Sequence, residues 1–334
     1  MSTSSVNGHA CASVPQIGQG DQDDCCADFQ YQRPLDLFQN KKLVKICAPM
    51  VRYSKQGFRM LVRKYDCDLT FTPMIISNSF VRSIKARDSD FTTYAGDRPL
   101  IVQFASNSCD DFANATEIVA PYCDGVDLNC GCPQRWAMSA GYGSCLLKKP
   151  ELVCDMVKQA RCRVDRNDFT VSMKIRIHKD LRETVDMCQK AAKTGVSFIS
   201  VHGRTKEQRA QPVNLEAVRA IKDAVAVPVV ANGDIRSLED SDRVQAETGV
   251  DGVMAARGIL ANPAMYAGYK DTPLQCVQDW VDIALSIGTQ FPCFHHHLIF
   301  MLEHILSKAE RNVFNSLASL SAVLDFLRDN LGIT

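Results

Sequence analysis

The sequence predicts an α/β protein, a (β/α)8 TIM barrel followed by a small all-α C-terminal domain. Eight short apolar runs follow one another between residues 43 and 255, amphipathic segments lie between them, and the pattern becomes purely helical after Pro273. Continuous apolar runs are typical of parallel strands covered on both faces, and eight strand–helix repeats are what such a barrel requires. A doubly wound open sheet is the main alternative, but no G-x-G-x-x-G segment follows the first run.

The predicted strands and helices alternate through the middle of the chain. The strands are expected at 43–48, 69–73, 100–105, 125–128, 170–177, 198–201, 227–231 and 252–255. The clearest helices between them are expected at 55–64, 150–161, 181–194, 215–224 and 238–248. These elements divide the chain into a flexible tail at 1–34, a barrel at 35–272 and a helical domain at 273–334. In the last region, apolar residues recur at helical spacing, as in Val277, Trp280, Val281, Ala284 and again Leu317, Leu320, Leu324, Leu327.

Composition and charge exclude several classes of protein. The 38 Lys and Arg residues balance the 38 Asp and Glu residues, and the 46% hydrophobic content is ordinary for a globular chain. No apolar run is long enough for a transmembrane helix, and no apolar core follows a basic start. Neither a membrane partner nor secretion is therefore expected. We expect a cytoplasmic monomer, with a nuclear pool left open.

The fifteen cysteines are an unusual feature of the composition. Their number is odd, and none lies in a C-x-x-C pair, which is half of a common structural zinc site. Most are expected to be reduced and to pack as small apolar side chains, with no metal bound. Cys132 is the exception, because it lies between Gly131 and Pro133 at a strand end, ahead of a glycine-containing loop at 141–143. A thiol in that position is placed to donate a proton.

Two strand ends predict an anion site. Barrel enzymes build their sites from residues just past the C-terminal ends of the strands. Asn232, Gly233 and Asp234 follow the seventh predicted strand, and Arg257 and Gly258 follow the eighth. Glycine lets backbone N–H groups approach a phosphate closely, and arginine adds positive charge. Two chance turns are the alternative interpretation.

Lys174 and Gln103 extend this prediction to a flavin. Lys174 lies inside the fifth predicted strand, where an unpaired buried ammonium is costly, so we expect it to point into the barrel mouth. Pairing with a structural carboxylate is the alternative. With a phosphate site opposite, the lysine suits a reduced flavin, which carries negative charge at its N1/O2 edge. Gln103 could offer its amide to the carbonyls of the same ring.

Several segments together match one family. VDLNCGCPQRWAMSAGYGSCLLKKPELV, with CAPMVRYS, LIVQFA, SMKIRI, VHGRTKEQR, VPVVANGDI and AARGILANP, resembles the tRNA-dihydrouridine synthases. The match runs in the same order over about residues 40–270, and FNSLASLSAVLDFL resembles the helical C-terminal domain of that family. The segments NCGCPQRWA and CAPMVRYSK are most similar to the eukaryotic branch that acts on uridines 20a and 20b of tRNA.

The resemblance implies an enzyme that uses FMN and NADPH to reduce the C5=C6 bond of a D-loop uridine in tRNA, with NADH as an alternative donor. Cys132 matches the proton donor of the family, and Asn129 matches the residue that positions the target base. Flavin-contacting positions are matched by Pro49, Met50, Gln103, Lys174 and His202, and the phosphate end by Asn232, Gly233, Asp234, Arg257 and Gly258. Arg135 and Arg204 are expected to bind the tRNA substrate.

Basic side chains in the strand-end loops predict contacts with tRNA phosphates, although a solvated surface is the alternative. They are Arg52, Lys55, Arg82, Lys85, Arg87, Arg135, Arg204, Lys206 and Arg209. The region from Lys270 onward instead holds four Lys or Arg residues against seven Asp or Glu residues. Either a few of its side chains, such as Lys308 and Arg311, suffice to hold RNA, or the barrel loops do most of the holding. The triplet His295, His296 and His297 is interpreted as a polar or RNA-facing surface and not as a metal site.

Two other functions remain open from the sequence. A related flavin barrel acting on a free pyrimidine, such as a dihydroorotate or dihydropyrimidine dehydrogenase, would not need the basic loops or the helical region. An RNA-binding relative that has lost catalysis would not need Cys132, Asn129 and Lys174.

Overall fold

The computed structural model describes residues 31–334. The predicted tail at 1–34, with Cys25 and Cys26, falls largely on residues 1–30, which lie outside the described residues. Helix α1 begins at Pro34, the last residue that was assigned to the tail.

Nine strands form the sheet of the described region, and all their pairings are parallel. They are β1 (Val44–Cys47), β2 (Leu69–Phe71), β3 (Ile75–Ile76), β4 (Leu100–Ala105), β5 (Gly125–Cys130), β6 (Thr170–Arg176), β7 (Ile199–His202), β8 (Val229–Asn232) and β9 (Gly252–Ala255). The sheet closes because β1 pairs with both β2 and β9, and β2 also pairs with β4. The predicted eight-stranded barrel is therefore confirmed. The two-residue strand β3 pairs only with β4 and is an addition that the sequence did not predict.

Helices cover the outside of the barrel and continue beyond it. In the described region they are α1 (Pro34–Asn40), α2 (Gln56–Arg63), α3 (Ser77–Arg82), α4 (Ile84–Asp90), α5 (Cys109–Val119), α6 (Arg135–Ser139), α7 (Pro150–Arg163), α8 (Leu181–Lys193), α9 (Leu215–Ala224), α10 (Leu238–Thr248), α11 (Arg257–Ala261), α12 (Leu274–Ser286), α13 (Phe291–Met301), α14 (Lys308–Ser316) and α15 (Leu320–Leu331). Side-chain caps mark several starts; for example, the Asn214 side chain accepts from the backbone N–H of Ala217 at the start of α9.

The upper interior of the barrel is polar. Successive side chains of a strand point to opposite faces, so Asp127 and Asn129 share one face of β5, as Ser172 and Lys174 share one face of β6. The register places Asp127 beside Ser172 and Asn129 beside Lys174. The outward-facing side chains between them, such as that of Leu128, are fully buried under the surrounding helices. The strands therefore look uniformly apolar in sequence except for a polar column that leads to the barrel mouth.

The C-terminal helices pack against the barrel through α12 and α13. Gly57 of α2 allows a close approach, because a Cβ there would lie 3.0 Å from Ile287 Cδ1 and 3.5 Å from the Trp280 ring. The Phe58 and Trp280 rings meet edge to face at 6.4 Å. Lys64 Nζ and Tyr65 Oη both donate to the Asp279 carboxylate at 2.7 Å. This interface is largely apolar, with one charged pair at its edge.

The interpretation of the histidine triplet as a polar or RNA-facing surface is wrong for two of its members. His295 and His297 are buried, and only His296 is exposed. His297 stacks on Phe58 at 4.4 Å, and its Nε2 lies 3.1 Å from the Tyr53 carbonyl oxygen. The reason is the helical period: consecutive residues on α13 point in directions about 100° apart, so only one of the three faces solvent.

Most cysteines of the described region are buried, whereas the leucines that recur at helical spacing near the C-terminus are buried only in part. Of the twelve cysteines in the described region, seven are buried and all are free. On α15 the buried positions are Val323 and Leu327, while Leu320 is 40% exposed. Within residues 31–334, no helix is both long enough and apolar enough to cross a membrane.

Candidate active site

The ends of strands β5 to β8 bring the predicted site residues to one side of the barrel mouth. The register places Asn129 of β5 beside Lys174 of β6, and His202 of β7 beside Asn232 of β8. Lys174 Nζ donates to Asn232 Oδ1 at 2.7 Å and so joins the two pairs across the mouth. The parallel register, and not sequence proximity, assembles this site.

Asn129 holds the start of the loop that follows β5. Its Oδ1 accepts from the backbone N–H groups of Gly131 at 3.1 Å and Cys132 at 2.9 Å. Its Nδ2 donates to Gln103 Oε1 at 2.9 Å. Asn129 therefore ties two predicted site residues, Gln103 and Cys132, into one wall.

Cys132 is the partly exposed thiol of this wall. Its carbonyl oxygen accepts from the backbone N–H and the hydroxyl of Ser144, both at 3.0 Å. Gly143 packs against it with a φ of +61°, and a Cβ at Gly143 would lie 2.8 Å from Cys132 Cβ. Cys130, two residues earlier, is fully buried, and burial raises the pKa of its thiol well above the usual range. Of these two cysteines only Cys132 is partly exposed.

Lys174 is a partly buried ammonium in the barrel mouth. Burial, assisted by the positive charge of Arg176, lowers the pKa of Lys174 to about 8. Its partner Asn232 is itself fixed, because Asn232 Nδ2 donates to the Met254 carbonyl oxygen at 2.7 Å. The alternative was that Lys174 pairs with a structural carboxylate. Its hydrogen bond is to an amide, and the Asp127 carboxylate acts on it only through its charge, which opposes the lowering of the Lys174 pKa.

His202 lies between several positive charges and is neutral. Burial and the charges of Lys174 and Arg176 lower the pKa of His202 to about 2. Arg204 Nη1 lies 3.3 Å from His202 Nε2. A guanidinium can only donate, so His202 Nε2 accepts and the ring proton is on Nδ1.

Arg204 was predicted to bind substrate; the structure buries its side chain, which lines the cavity beside His202 and Asp234. Its side chain is only 3% exposed, and it forms a salt bridge with Asp234. It also donates to the Gln211 carbonyl oxygen. Arg135, the other predicted substrate ligand, is exposed at the start of α6.

The loops after β8 and β9 form a cradle at the other side of the mouth. Gly233 has a φ of +117°, and a Cβ on Gly258 would lie 2.3 Å from the Ile235 carbonyl oxygen, so neither position accepts a side chain without a shift. Arg257 lies 3.4 Å from Asp234 and leaves its guanidinium 68% exposed. A cavity of about 300 Å³ here is bounded by His202, Asn232, Gly233, Arg257 and Gly258, among others. Close backbone approach combined with positive charge fits the phosphate of a bound cofactor.

Pro49 and Met50 complete the mouth from β1. The Met50 carbonyl oxygen accepts from the backbone N–H groups of Tyr53 and Ser54, both at 3.0 Å, and the Met50 N–H donates to Ser54 Oγ at 2.9 Å. This tight turn fixes the chain where it leaves the strand. Within residues 31–334, no group of three or more His, Cys, Asp or Glu side chains is placed to hold a metal ion.

Comparison with known proteins decides the family. The family model described as Dihydrouridine synthase (Dus) matches residues 46–325. The chain belongs to the dihydrouridine synthase family. Within it, the chain is 61% identical over 300 residues to a tRNA-dihydrouridine(20a/20b) synthase-like protein of Homo sapiens, covering 90% of this chain and 95% of that protein. It is 41% identical over 301 residues to a tRNA-dihydrouridine(20a/20b) synthase of Schizosaccharomyces pombe, covering 89% and 91% of the two chains. Both names include NAD(P)+.

The barrel of this dihydrouridine synthase also resembles a more distant enzyme. The old yellow enzyme from Trypanosoma cruzi superposes with a TM-score of 0.50 at 11% identity, covering 66% of this chain and 85% of that chain. At this identity the likeness shows the fold alone.

Sequence reasoning assigned no role to two residues that the structure places in the candidate site. Arg176 donates from Nε to the Gly131 carbonyl oxygen at 3.1 Å and from Nη1 to the Thr205 carbonyl oxygen at 2.9 Å, so it links the loops after β5 and β7. Asp127 is a fully buried carboxylate below Gln103. The available signal was alternation: Asp127 lies two residues before Asn129, and Arg176 two residues after Lys174.

Proposed function

We propose that this dihydrouridine synthase reduces the C5=C6 bond of uridines 20a and 20b in tRNA, with Cys132 as the proton donor. The observation that carries the mechanism is the wall in which Asn129 holds the backbone N–H of the partly exposed Cys132 at 2.9 Å, beside Lys174 in the same barrel mouth. The uridine positions follow the names of the human and S. pombe relatives, which cover almost the whole described chain.

FMN is the cofactor we propose for the barrel mouth, with NADPH as its reductant and NADH as an alternative. The ring would be held by Pro49, Met50, Gln103, Lys174 and His202, and the phosphate by Asn232, Gly233, Asp234, Arg257 and Gly258. The residues fit: the cradle excludes side chains at Gly258, and the neutral His202 avoids adding a charge next to Lys174. When bound, the flavin supplies the hydride that C6 of the uracil ring accepts.

The side chains of this protein supply the remaining chemistry. The Cys132 Sγ–H bond donates its proton to C5 of the uracil, and the partly exposed thiolate then regains a proton from solvent. Asn129 positions the base. Lys174 stabilises negative charge on the reduced ring. To reach Cys132 in the barrel mouth, the target uridine must leave its base stack in the tRNA. This costs the least free energy when the uridine lies in a loop.

Basic groups around the mouth support tRNA as the substrate. Of the nine predicted phosphate contacts, all but Arg204 are exposed or partly exposed: Arg52, Lys55, Arg82, Lys85, Arg87, Arg135, Lys206 and Arg209. In the helical region, Arg311 is partly exposed but donates to the Glu303 carbonyl oxygen at 2.8 Å, whereas Lys308 is exposed. We propose that Arg135 and the barrel loops do most of the RNA binding, and that Arg204 acts indirectly by fixing Asp234. We also propose a monomeric enzyme.

The test compares two cysteines that are two residues apart. Flavin-loaded wild type, Cys132→Ala and Cys130→Ala are incubated with NADPH and tRNA lacking dihydrouridine, and dihydrouridine is mapped to single nucleotides. We expect the wild type and Cys130→Ala to modify positions 20a and 20b. Cys132→Ala is expected to keep its flavin and lose about 10²-fold or more in rate, the usual contribution of a general acid. Unchanged turnover in Cys132→Ala would rule out the proton-donor assignment.

The same assay separates the two rival functions. Reduction of free uridine without reduction of tRNA would support a free-pyrimidine dehydrogenase. A purified protein without yellow flavin absorbance, and with tRNA binding alone, would support a non-catalytic RNA-binding relative.

A further inference from the structure

The carboxylate of Asp127 is completely buried inside the barrel, below the proposed active site. Its Oδ2 accepts from Gln103 Nε2 at 2.8 Å, and its Oδ1 accepts from Ser172 Oγ at 2.7 Å. Among the described residues no Lys or Arg forms a salt bridge with it. Burial raises the pKa of Asp127 to about 6, while the hydrogen bonds from Gln103 and Ser172 and the charge of Lys174 act to lower it, so the carboxylate is mostly ionised at neutral pH. A buried charge without an ion-pair partner is costly, so a role beyond packing should account for it.

Asp127 is the lower end of a hydrogen-bond chain that reaches Cys132. Gln103 Nε2 donates to Asp127, Asn129 Nδ2 donates to Gln103 Oε1 at 2.9 Å, and the Cys132 backbone N–H donates to Asn129 Oδ1 at 2.9 Å. All three side chains are at least nine-tenths buried, with exposures of 0%, 1% and 8% for Asp127, Gln103 and Asn129. Water therefore does not compete for these contacts.

The two ends of the chain fix its direction. A backbone N–H can only donate, so the Asn129 oxygen must face Cys132 and its nitrogen must face Gln103. An ionised carboxylate can only accept, so the Gln103 nitrogen must face Asp127 and its oxygen must face Asn129. Each amide is thus held in one of its two possible orientations by a partner that cannot reverse its role. Removing the carboxylate would free Gln103 to rotate, and Asn129 would lose its fixed partner.

We propose that Asp127 is a positioning residue: it holds Gln103 with its amide oxygen toward Asn129, and Asn129, anchored in this way, presents its remaining N–H to a carbonyl oxygen of the target pyrimidine. Asn129 Nδ2 spends one N–H on Gln103, and its Oδ1 already accepts two backbone N–H groups. The group left for a ligand is a donor. A donor favours the uracil ring, which has carbonyl oxygens at C2 and C4, over cytosine, which has an amino group at C4.

This inference rests on the proposed function and makes a distinct kinetic claim. Asn129 and Cys132 meet the pyrimidine but are not needed when the reductant delivers its hydride. Loss of the Asp127 acceptor should therefore slow the oxidation of reduced enzyme by tRNA much more than the reduction of oxidised enzyme by NADPH, which depends on Gln103 only through its contact with the flavin. A residue that only stabilises the barrel would affect both half-reactions together, through flavin occupancy.

The experiment compares Asp127→Asn with Asp127→Leu. Asparagine keeps an oxygen that accepts from Gln103, and leucine has a similar volume and no acceptor. With flavin-loaded protein, stopped-flow absorbance follows each half-reaction separately. We expect Asp127→Asn to be within about threefold of wild type in both, and Asp127→Leu to lose about tenfold or more in oxidation by tRNA and no more than about threefold in reduction by NADPH. Equal oxidation rates in the two variants at equal flavin occupancy would overturn the proposal.

A second pair of variants applies if Asp127→Leu does not fold. Gln103→Glu places two carboxylates against each other, whereas the double variant Gln103→Glu with Asp127→Asn exchanges donor and acceptor and leaves Asn129 its acceptor. We expect the double variant to recover most of the oxidation rate that Gln103→Glu loses, and no recovery would contradict the proposal. If the wild type forms no dihydrouridine at all, the proposed function fails; if the wild type is active and neither pair shows the difference, only this inference fails.

Discussion

Gly143 offers a direct test of how closely the loop after β5 positions Cys132. Its φ of +61° is in the left-handed region, where a side chain costs about 1–2 kcal/mol. A Cβ would also lie 2.5 Å from the Cys132 carbonyl oxygen and 2.8 Å from Cys132 Cβ, contacts that require movement of the backbone. Gly143→Ala should therefore lower stability and also displace the thiol.

Gly249 is the matched control for this change. It has a φ of +69° at the end of α10, and a Cβ there would meet nothing within 4 Å. Gly249→Ala should therefore destabilise the fold by about 1–2 kcal/mol through its left-handed backbone alone, without a steric clash. In urea unfolding, Gly249→Ala should lower the free energy of unfolding by about 1–2 kcal/mol, and Gly143→Ala should lower it by more than that.

The activity measurement separates the two effects. Single-turnover oxidation of the reduced flavoenzyme by tRNA should be unchanged in Gly249→Ala. In Gly143→Ala it should fall by about 10²-fold, which is the scale expected when a catalytic group moves by about 1 Å. If Gly143→Ala loses only stability and keeps the wild-type rate, the close packing of Gly143 on Cys132 is not needed for catalysis and the reasoning is refuted.

Three further predictions concern charge and burial. Because the pKa of Lys174 is lowered to about 8, flavin affinity measured by fluorescence titration should fall as pH rises above that value; Lys174→Met should bind about tenfold more weakly or worse, without this pH dependence. Gly258→Ala, whose Cβ would meet the Ile235 carbonyl oxygen at 2.3 Å, should weaken FMN by about tenfold or more but leave riboflavin, which has no phosphate, within about twofold. Burial lowers the pKa of His297 from 6.5 to about 3, so between these pH values the imidazole is protonated in the unfolded chain but neutral in the folded one. The free energy of unfolding should therefore be highest above pH 6.5 and should fall by up to about 5 kcal/mol as the pH is lowered toward 3. His297→Phe should remove that part of the pH dependence of urea unfolding, and an unchanged slope would contradict the pKa assignment.

The local sequence pattern was enough to predict the barrel strands and some of the helices. All eight predicted barrel strands are present, and two of the predicted helices, at 215–224 and 238–248, match α9 and α10 at both ends. Strand β3, at Ile75–Ile76, was missed because two residues carry no period of their own and pair only through contact with β4. Burial on α13 was also missed: three adjacent histidines look polar, and only the packing of His297 on Phe58 and of His295 on Phe314 shows that two of them are buried.

In the proposed site, too, the sequence predicted individual residues but not the contacts between them. Most of its residues could be chosen from the sequence, since a cysteine between Gly131 and Pro133, a lysine within an apolar strand and glycines at strand ends are each unusual. Their connections could not be chosen that way. Arg204 resembles an RNA contact in sequence, but its side chain is buried in a salt bridge with Asp234, thirty residues away. Asp127 appeared to be one polar position in a strand until the register placed it against Gln103 and Ser172.

The sequence alone determined the fold class and the family resemblance and singled out the thiol that we propose as the proton donor, because period, glycine placement and motif order are local properties of the chain. The lack of a long apolar run argued against a membrane-spanning protein, but neither the neutral overall charge nor the fifteen cysteines identified which groups act together. Only the tertiary structure decided that Lys174 meets Asn232, that His202 is neutral, and that a hydrogen-bond chain runs from Asp127 to Cys132. The physical reason is that desolvation and hydrogen-bond direction depend on neighbours brought from other strands, and closing the barrel is what makes them neighbours.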